Sequence, residues 1–321
     1  MVNLLWLQGS CCSGDTMSFL NSEEPDIITA FRMLNINLLW HPSLSLEMGE
    51  DVINIFERLI QGKENLDVLV IEGSIPLGPN NTGHYFMFHN RPFKDWVIDL
   101  SKVCHYNVAV GTCSSFGGIP SAGTNFTDAT GLQFFQNEKG GLLGSDYKSK
   151  SGFPVINIPG CPAHPDWLMG LLSTLLFKGF DINNLDKYQR PKIFYSNLAH
   201  HGCSRNEYYE FKASAEELCQ QGCIFENLGC KGTICDSDCN IRLWMGRTGS
   251  CTRGGFPCIA CTSPDFPDGK VPYFQTNKIA NIPITLPRDV PKAWYVGLVG
   301  LSKAATPERL KKNAISFKKI I

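Results

Sequence analysis

The sequence predicts an α/β fold: a parallel, doubly wound sheet in the first part of the chain, followed by an irregular, cysteine-rich second part. Three observations carry this reading. Short continuous apolar runs alternate with segments of helical spacing as far as about residue 180, the pattern of strands covered on both faces. The alternation weakens after about Lys187. Nine of the fourteen cysteines then fall in the sixty-two residues from His200 to Cys261, among Gly, Asp and other turn formers. A stretch so poor in packing residues needs another source of order, and thiolate–metal bonds supply one.

Asn3–Gln8 is an apolar run and reads as a buried strand, followed by a tight loop over Gly9–Asp15. Pro25–Leu34 reads as a helix with Pro in its first turn, and Ile36–Trp40 as a second strand. Over Gly49–Gln61 the residues Val52, Ile53, Phe56, Leu59 and Ile60 recur at helical spacing. Asp67–Ile71 is a third strand, running into Glu72-Gly73-Ser74-Ile75-Pro76. Phe93–Cys104 follows as a helix, Asn107–Val110 as a strand and GTCSSFGGIPSAG as a loop. Phe153–Ile158 is the fifth strand, ending in Pro159-Gly160-Cys161-Pro162, and Asp166–Phe177 is an apolar helix. Lys192–Tyr195 continues the alternation as a weak strand, with a helix near Glu207–Cys219. From Gly222 onward the chain reads as loops and proline-rich connections with one helix near Pro307–Ala314. The expected domains are 1–185 and 186–321.

A formal net charge of −1 leaves no electrostatic footprint for nucleic acid. No apolar run approaches the ~18 residues needed to span a bilayer. The chain enters its first strand directly, without a basic n-region, twin arginine or cleavage site, and its ISFKKII end is too short and basic for an anchor helix. The expected location is the cytoplasm, free or peripheral on the cytoplasmic side of a membrane. Disulfides are uncommon there, so the cysteines are buried thiols or metal ligands.

Ligands of doubly wound sheets bind outside the carboxyl ends of the strands. Cys12, Cys113 and Cys161 lie just past the ends of the first, fourth and fifth strands, so the topology gathers them on one edge, where a shared metal site ranks ahead of three unrelated thiols. The donors of the second part suit two four-ligand sites. Structural zinc wants two C-x₂₋₄-C knuckles per site. Cys258/Cys261 is one; Cys219/Cys223 and Cys235/Cys239 are less regular. Iron–sulfur clusters accept irregular spacing and an occasional histidine. On residue chemistry alone iron–sulfur ranks ahead of zinc, and zinc ahead of free thiols.

The motifs sharpen this. Leu5-Trp6-Leu7-Gln8 with its cysteine loop, Glu72-Gly73-Ser74-Ile75-Pro76, Gly111-Thr112-Cys113 and Ile158-Pro159-Gly160-Cys161-Pro162 stand in order along the chain. His200-x-x-Cys203, Leu228-Gly229-Cys230-Lys231-Gly232 and Pro257-Cys258-Ile259-Ala260-Cys261 follow. With these motifs the sequence resembles the small, electron-transfer subunit of nickel–iron hydrogenases along nearly its whole length. The cysteine loop and the Cys223–Cys230 segment look like the uptake and hydrogen-sensing subgroup, cyanobacterial uptake enzymes in particular.

The resemblance implies a flavodoxin-like first domain and three iron–sulfur clusters in a row, mostly 4Fe-4S. A proximal cluster takes Cys12, Cys113 and Cys161. Its usual fourth cysteine is Asp15 here, which leaves four options: a carboxylate ligand, Cys11 swinging in, a 3Fe-4S site, or Asp15 as a plain helix N-cap. A medial cluster takes Cys239, Cys258 and Cys261, with Cys251 at the fourth place where many relatives have proline, favouring a 4Fe-4S cluster over 3Fe-4S. A distal cluster takes His200, Cys203, Cys223 and Cys230, with His201 the competing imidazole. Cys104, Cys219 and Cys235 stay without a role. Glu72 is implied as a polar contact near a partner's active site; its alternative is a solvated loop carboxylate. The chain has only one clean C-x-x-C, too few for a nickel site, so the catalytic metal belongs to a large-subunit partner. Phe86, Phe88, Phe93, Trp96 and Phe116 are candidates to cover that partner or to pack on this chain's own sheet. The expected activity is H₂ oxidation by an uptake hydrogenase heterodimer, electrons leaving to an unidentified acceptor. The alternatives are the small subunit of a hydrogen-sensing complex and a zinc-stapled, non-redox binding protein.

Overall fold

The computed structural model describes residues 1–269, 271–280 and 282–314. The C-terminal ISFKKII stretch lies outside them. Five parallel strands form the main sheet: β1 (Val2–Gln8), β2 (Ile36–Trp40), β3 (Leu66–Glu72), β4 (Cys104–Val110) and β5 (Ile156–Ile158). Their spatial order is β5-β4-β3-β1-β2. All the pairings are parallel. This is the flavodoxin-like order, with its switch point between β1 and β3.

Burial explains why these strands read as unbroken apolar runs. Leu4, Leu5, Trp6 and Leu7 are all buried, as are Val68, Leu69, Val70 and Ile71, so both faces are covered. Leu5, Leu7, Leu69 and Ile71 join one core with α3 (Glu50–Ile60) and α4 (Phe93–Val103), through Val52, Phe56, Leu59, Trp96 and Leu100. On the other face Trp6 stacks on Phe19 of α1 (Gly14–Leu20), ring centroids 5.5 Å apart. Between these helices α2 (Ile27–Met33) is capped by Asp26, whose carboxylate accepts from the N–H groups of Ile28 and Thr29. The five candidate interface aromatics settle on this chain: Phe93, Trp96 and Phe116 are buried, and Phe86 and Phe88 pack against the same core.

Several elements differ from expectation. Residues 14–20 are helical, although Gly14 and the exposed Met17 and Leu20 conceal the pattern. The GTCSSFGG loop contains a short helix, α5 (Gly111–Phe116). The fifth strand begins at Ile156, not Phe153. Helix α6 (Pro165–Ser173) continues as a π-turn over Thr174–Lys178. Lys192–Tyr195 is one helical turn, α7, despite its strand-like Ile and aromatic residues. The helix expected near Glu207–Cys219 is only α8 (Asn206–Glu210).

The chain divides into two units, Met1–Ile193 with Thr262–Asp268, and Phe194–Cys261 with Gly269–Ile321, against the single cut expected at 185/186. Specific bonds hold the returning segment in the first unit: Arg190 donates to the Thr262 carbonyl (3.2 Å) and Gly123 N–H to Asp268 Oδ2 (2.9 Å). The second unit is mostly turns. Besides the expected α10 (Glu308–Ala314) it contains an unforeseen helix, α9 (Lys292–Ala304). Its apolar residues spread around the helix, leaving Trp294, Leu298 and Leu301 exposed, and Gly297 and Gly300 lower its helix propensity.

Candidate metal centres

The first centre is built at the switch point. Gln8 and Glu72 are register partners where β1 and β3 end. Glu72 is fully buried, not solvated. Its Oε1 accepts from the N–H groups of Asp15 (3.1 Å) and Thr16 (3.2 Å). Its Oε2 accepts from Trp6 Nε1 (3.2 Å), Gln8 Nε2 (3.1 Å) and the Thr16 hydroxyl. A carboxylate from the sheet thus satisfies two of the N–H groups that a helix start leaves unpaired. Ser13, at the N-cap, makes no side-chain cap bond.

Helix α1, so anchored, presents Asp15 on its first turn. Asp15 Oδ1 accepts from Ala163 N–H at 2.7 Å, two residues beyond Cys161. A Cβ on Gly111 would come within 2.0 Å of Asp15 Oδ2, and Gly111 has φ +84°, so this position is restricted to glycine. The carboxylate is therefore wedged between the loops carrying Cys113 and Cys161, and it does not cap its own helix. Gly118 closes on Cys113 in the same way: a Cβ there would meet its Cα and Sγ at 2.8 Å. Burial, then the neighbouring Cys161, Asp15 and Cys12, pushes the Cys113 thiol up to about 12. Burial, then Asp15 and Cys12, pushes Cys161 up to about 11. Burial likewise raises the Asp15 carboxyl to about 7, against the opposing Ala163 hydrogen bond. Cys12, Asp15, Cys113 and Cys161 therefore share one locality. Cys11 faces elsewhere: it lines a cavity of about 280 Å³ with Leu7, Gln8, Trp40, Phe56 and Phe88.

In the second unit His200, Cys203, Cys223 and Cys230 line one small cavity together with Arg205 and Tyr209. Their sulfurs accept backbone N–H groups: Arg205 N–H to Cys203 (3.4 Å), Phe225 N–H to Cys223 (3.5 Å) and Cys258 N–H to Cys230 (3.4 Å). Burial and the neighbouring His201 push the His200 imidazole down to about 4, which keeps it neutral, the form that binds metal. Its ring meets Tyr209 edge-on at 4.3 Å. The competing His201 is committed to Asp289, Nε2 to Oδ2 2.6 Å, at the surface. A second, larger cavity of about 320 Å³ opens beside His200, lined also by His201, Lys212, Asp289, Trp294 and Leu298. His200 therefore lines both an inner cavity and an outer one.

Arg205, which the sequence did not single out, clamps this cavity. Its guanidinium donates to the carbonyls of Gln220 and Gly222 (2.7 Å each) and Thr252 (2.9 Å), tying together the loops that carry Cys223 and Cys251.

Cys239, Cys251 and Cys258 form the third locality. Burial, then Cys235, then Cys251 raises Cys239 to about 12. Burial and then Cys235 raise Cys251. Cys258 is raised chiefly by a hydrogen bond with Cys235. Its sulfur also accepts from Ala260 N–H at 3.4 Å. The nearby Cys235 was the thiol to notice, five residues after Cys230 and four before Cys239. Of the other unassigned thiols, Cys104 is buried against Tyr147 (3.7 Å) at the start of β4, and Cys219 is exposed. Cys261 follows at the end of the unit's first segment.

Among the described residues no three His, Cys, Asp or Glu side chains meet at a point suited to one metal ion. The distal donors, three thiols and one imidazole, line a shared space. Buried thiols with raised pKa need an opposing positive charge to ionise, and a bound metal supplies it.

A family model described as the NADH ubiquinone oxidoreductase, 20 Kd subunit matches residues 12–175, and a C-terminal model of the NiFe/NiFeSe hydrogenase small subunit matches residues 195–274. The chain is 38% identical over 295 residues to the F420 non-reducing hydrogenase II small subunit of Methanosarcina mazei, covering 84% of this chain and 75% of that one. It is 32% identical over 288 residues to the periplasmic [NiFeSe] hydrogenase small subunit of Desulfomicrobium baculatum, covering 84% and 86%. Among solved structures it resembles the actinobacterial-type NiFe-hydrogenase of Ralstonia eutropha H16, with TM-score 0.78, 28% identity, and 96% and 92% of the two chains covered.

Proposed function

Because the chain belongs to the small subunits of nickel–iron hydrogenases, the electron-transfer partners of that enzyme, we propose that it serves an uptake hydrogenase and holds three iron–sulfur clusters. The observation that carries this reading is the distal cavity. Four donors that the family resemblance implies line one space, three of them cushioned by backbone N–H groups. Cys12, Asp15, Cys113 and Cys161 hold the proximal cluster, Cys239, Cys251, Cys258 and Cys261 the medial one, and His200, Cys203, Cys223 and Cys230 the distal one. When bound, the clusters carry single electrons, at potentials set by ligand type, hydrogen bonds to sulfur and burial.

This chain's residues fix where those electrons enter and leave. Glu72 pins the helix start that presents Asp15, so the entry site is organised from the sheet outward. Asp15 provides a harder donor than thiolate, matched less well to iron. His200, neutral where a thiolate is negative, lines the outer cavity and marks the exit. The nickel site lies on a large-subunit partner, and the electron acceptor docks near His200. We place the complex in the cytoplasm, free or peripheral to a membrane; no helix of the described residues is long and apolar enough to cross one.

The test is to co-express the chain with its large subunit and measure iron, acid-labile sulfide, zinc and H₂-dependent dye reduction. Brown protein with about four irons per site and sustained turnover supports the proposal. Turnover too slow for uptake, coupled to a kinase response, moves the assignment to hydrogen sensing. Colourless protein with stoichiometric zinc overturns the cluster assignment.

A further inference from the structure

Helix α9 is held on the second unit by one narrow face. Tyr295 is buried on it, and the Lys212 ammonium lies over the Tyr209 and Tyr295 rings, 3.8 and 4.4 Å from their centroids. Just past the helix end the Thr306 hydroxyl donates to the Phe211 carbonyl at 2.8 Å. Val299 and Ser302 share this face and are half-buried. Every other residue of α9 is exposed. Apart from Lys292 and Lys303 these are Ala293, Trp294, Val296, Gly297, Leu298, Gly300, Leu301 and Ala304. At 3.6 residues per turn the eight cover roughly 200° of the helix without a polar residue among them, and the two lysines fall together at one edge. Trp294 and Leu301 are each 68% exposed. Single surface hydrophobics need no explanation, but a contiguous uncovered face marks a protein or membrane contact.

Charge distinguishes the two. From Lys292 to Ala314 the chain carries five basic residues and one acid, Glu308, whereas its overall charge is −1. Arg309 is paired with Glu207, and Lys303 reaches Glu226 at 4.0 Å. Lys292, Lys311 and Lys312 are exposed and have no ion-pair partner among the described residues. A protein interface would carry about one hydrogen bond per 100–200 Å². Of the eight side chains on this face only Trp294 offers a donor. A second copy is also disfavoured, since one helix about 20 Å long and 10 Å across falls short of the ~800 Å² that each partner of a standard interface buries. An anionic bilayer asks for less: an apolar face, an indole at the headgroup level and lysines beside it. The thirteen residues of α9 are too short to cross a ~30 Å hydrocarbon core, so the helix would lie along the surface.

We propose that α9 docks the enzyme on a membrane surface rich in anionic lipid, its apolar face entering the headgroup region and Lys292, Lys311 and Lys312 meeting lipid phosphates. Trp294 and Leu298 also line the outer cavity beside His200, so docking brings that cavity to the bilayer. This deepens the membrane-peripheral placement proposed above. Vesicle binding is read separately from iron content and dye reduction, so the docking and the hydrogenase assignment fail independently.

The test is flotation of the complete small–large complex with vesicles of phosphatidylglycerol and phosphatidylethanolamine, with phosphatidylcholine vesicles as the neutral comparison. The parent is expected to float with the anionic vesicles and to be released by high salt. Leu301→Asp should weaken binding at least about tenfold. Lys311→Gln with Lys312→Gln should weaken it about fivefold for each lysine. Iron content and H₂-dependent dye reduction stay at the parent level in both variants. Hydrogen exchange across Lys292–Ala304 is expected to slow when anionic vesicles are added. A parent complex that does not float overturns the proposal, as does equal binding to phosphatidylcholine. Undiminished flotation of Leu301→Asp shows that another surface binds and overturns it too. A concentration-dependent doubling of mass that Leu301→Asp abolishes gives the face to a second copy, and exchange in α9 unmoved by vesicles gives it to a protein already bound; either result overturns the docking.

Discussion

Replacing Glu72 by Gln tests whether the entry site is held from the sheet. The two carboxylate oxygens accept five hydrogen bonds, two on Oε1 and three on Oε2. A glutamine amide has the same shape but offers an NH₂ group at one of the two positions. Either orientation sets that group against at least two donors, Asp15 and Thr16 N–H or the Trp6, Gln8 and Thr16 side chains. Hydrogen bonds to a charged group are worth about 1.5–3 kcal/mol each, so losing two costs about 3–6 kcal/mol. That is a large share of the ~5–15 kcal/mol that typically holds a domain together. The damage is local, because α1 loses the anchor of its first turn, and Asp15 with it. Glu72→Gln in the small–large complex is therefore expected to lower the urea midpoint and to weaken or broaden the proximal EPR signal, leaving medial and distal signals in place. A complex unfolding within about 0.5 kcal/mol of the parent, with an unaltered proximal signal, would falsify the account of Glu72 as the anchor of α1.

Asp15→Cys is expected to give an all-thiolate proximal centre with altered potential, whereas Cys11→Ser is nearly silent; redox titration with EPR separates them, and the reverse pattern hands the ligand role to Cys11. Gly111→Ala, forcing a Cβ to 2.0 Å from Asp15 Oδ2 at φ +84°, should cost at least about 1–3 kcal/mol and disturb the proximal signal. Arg205→Ala strips donors from three carbonyls and should loosen the distal centre, measured as faster iron release to a chelator; retention at the parent rate shows the clamp to be dispensable. His201→Ala removes only an exposed pair with Asp289 and should shift stability by less than about 1 kcal/mol, while His200→Ala should abolish the distal signal.

The sheet was legible because its strands are covered on both faces and so spell themselves as unbroken apolar runs, and the helices α3 and α4 because one stripe of each meets that sheet. Helix α1 was hidden because its stability comes from a carboxylate fifty-seven residues away, in the sense of Asp15 N–H to Glu72, rather than from its own sequence. The same long-range bond is why Glu72 looked like a loop residue: nothing in Glu72-Gly73-Ser74 announces five donors converging on it. Helix α9 was hidden for the opposite reason: Trp294, Val296, Leu298 and Leu301 point outward, so its apolar residues do not gather on one stripe. The distal donors were legible through the family's motifs, but Arg205 was not, since its partners are carbonyls, which every residue possesses.

The second unit resolves a physical difficulty of electron-transfer sites. Donor atoms must be held still, yet this segment has few backbone ladders to hold them. Its order comes instead from bonds in which sulfur and backbone share the work. Cys258 N–H donates to Cys230 Sγ at 3.4 Å, and Lys231 N–H donates to the Cys258 carbonyl at 2.7 Å. A residue of the proposed medial set thus stabilises a sulfur of the proposed distal set, while the neighbour of that sulfur holds the medial residue's carbonyl. Neither set can be displaced without straining the other. On the proposed ligand sets, one short stretch of backbone joins the two centres, and a substitution at Cys258 is expected to shift the distal EPR midpoint as well as the medial one.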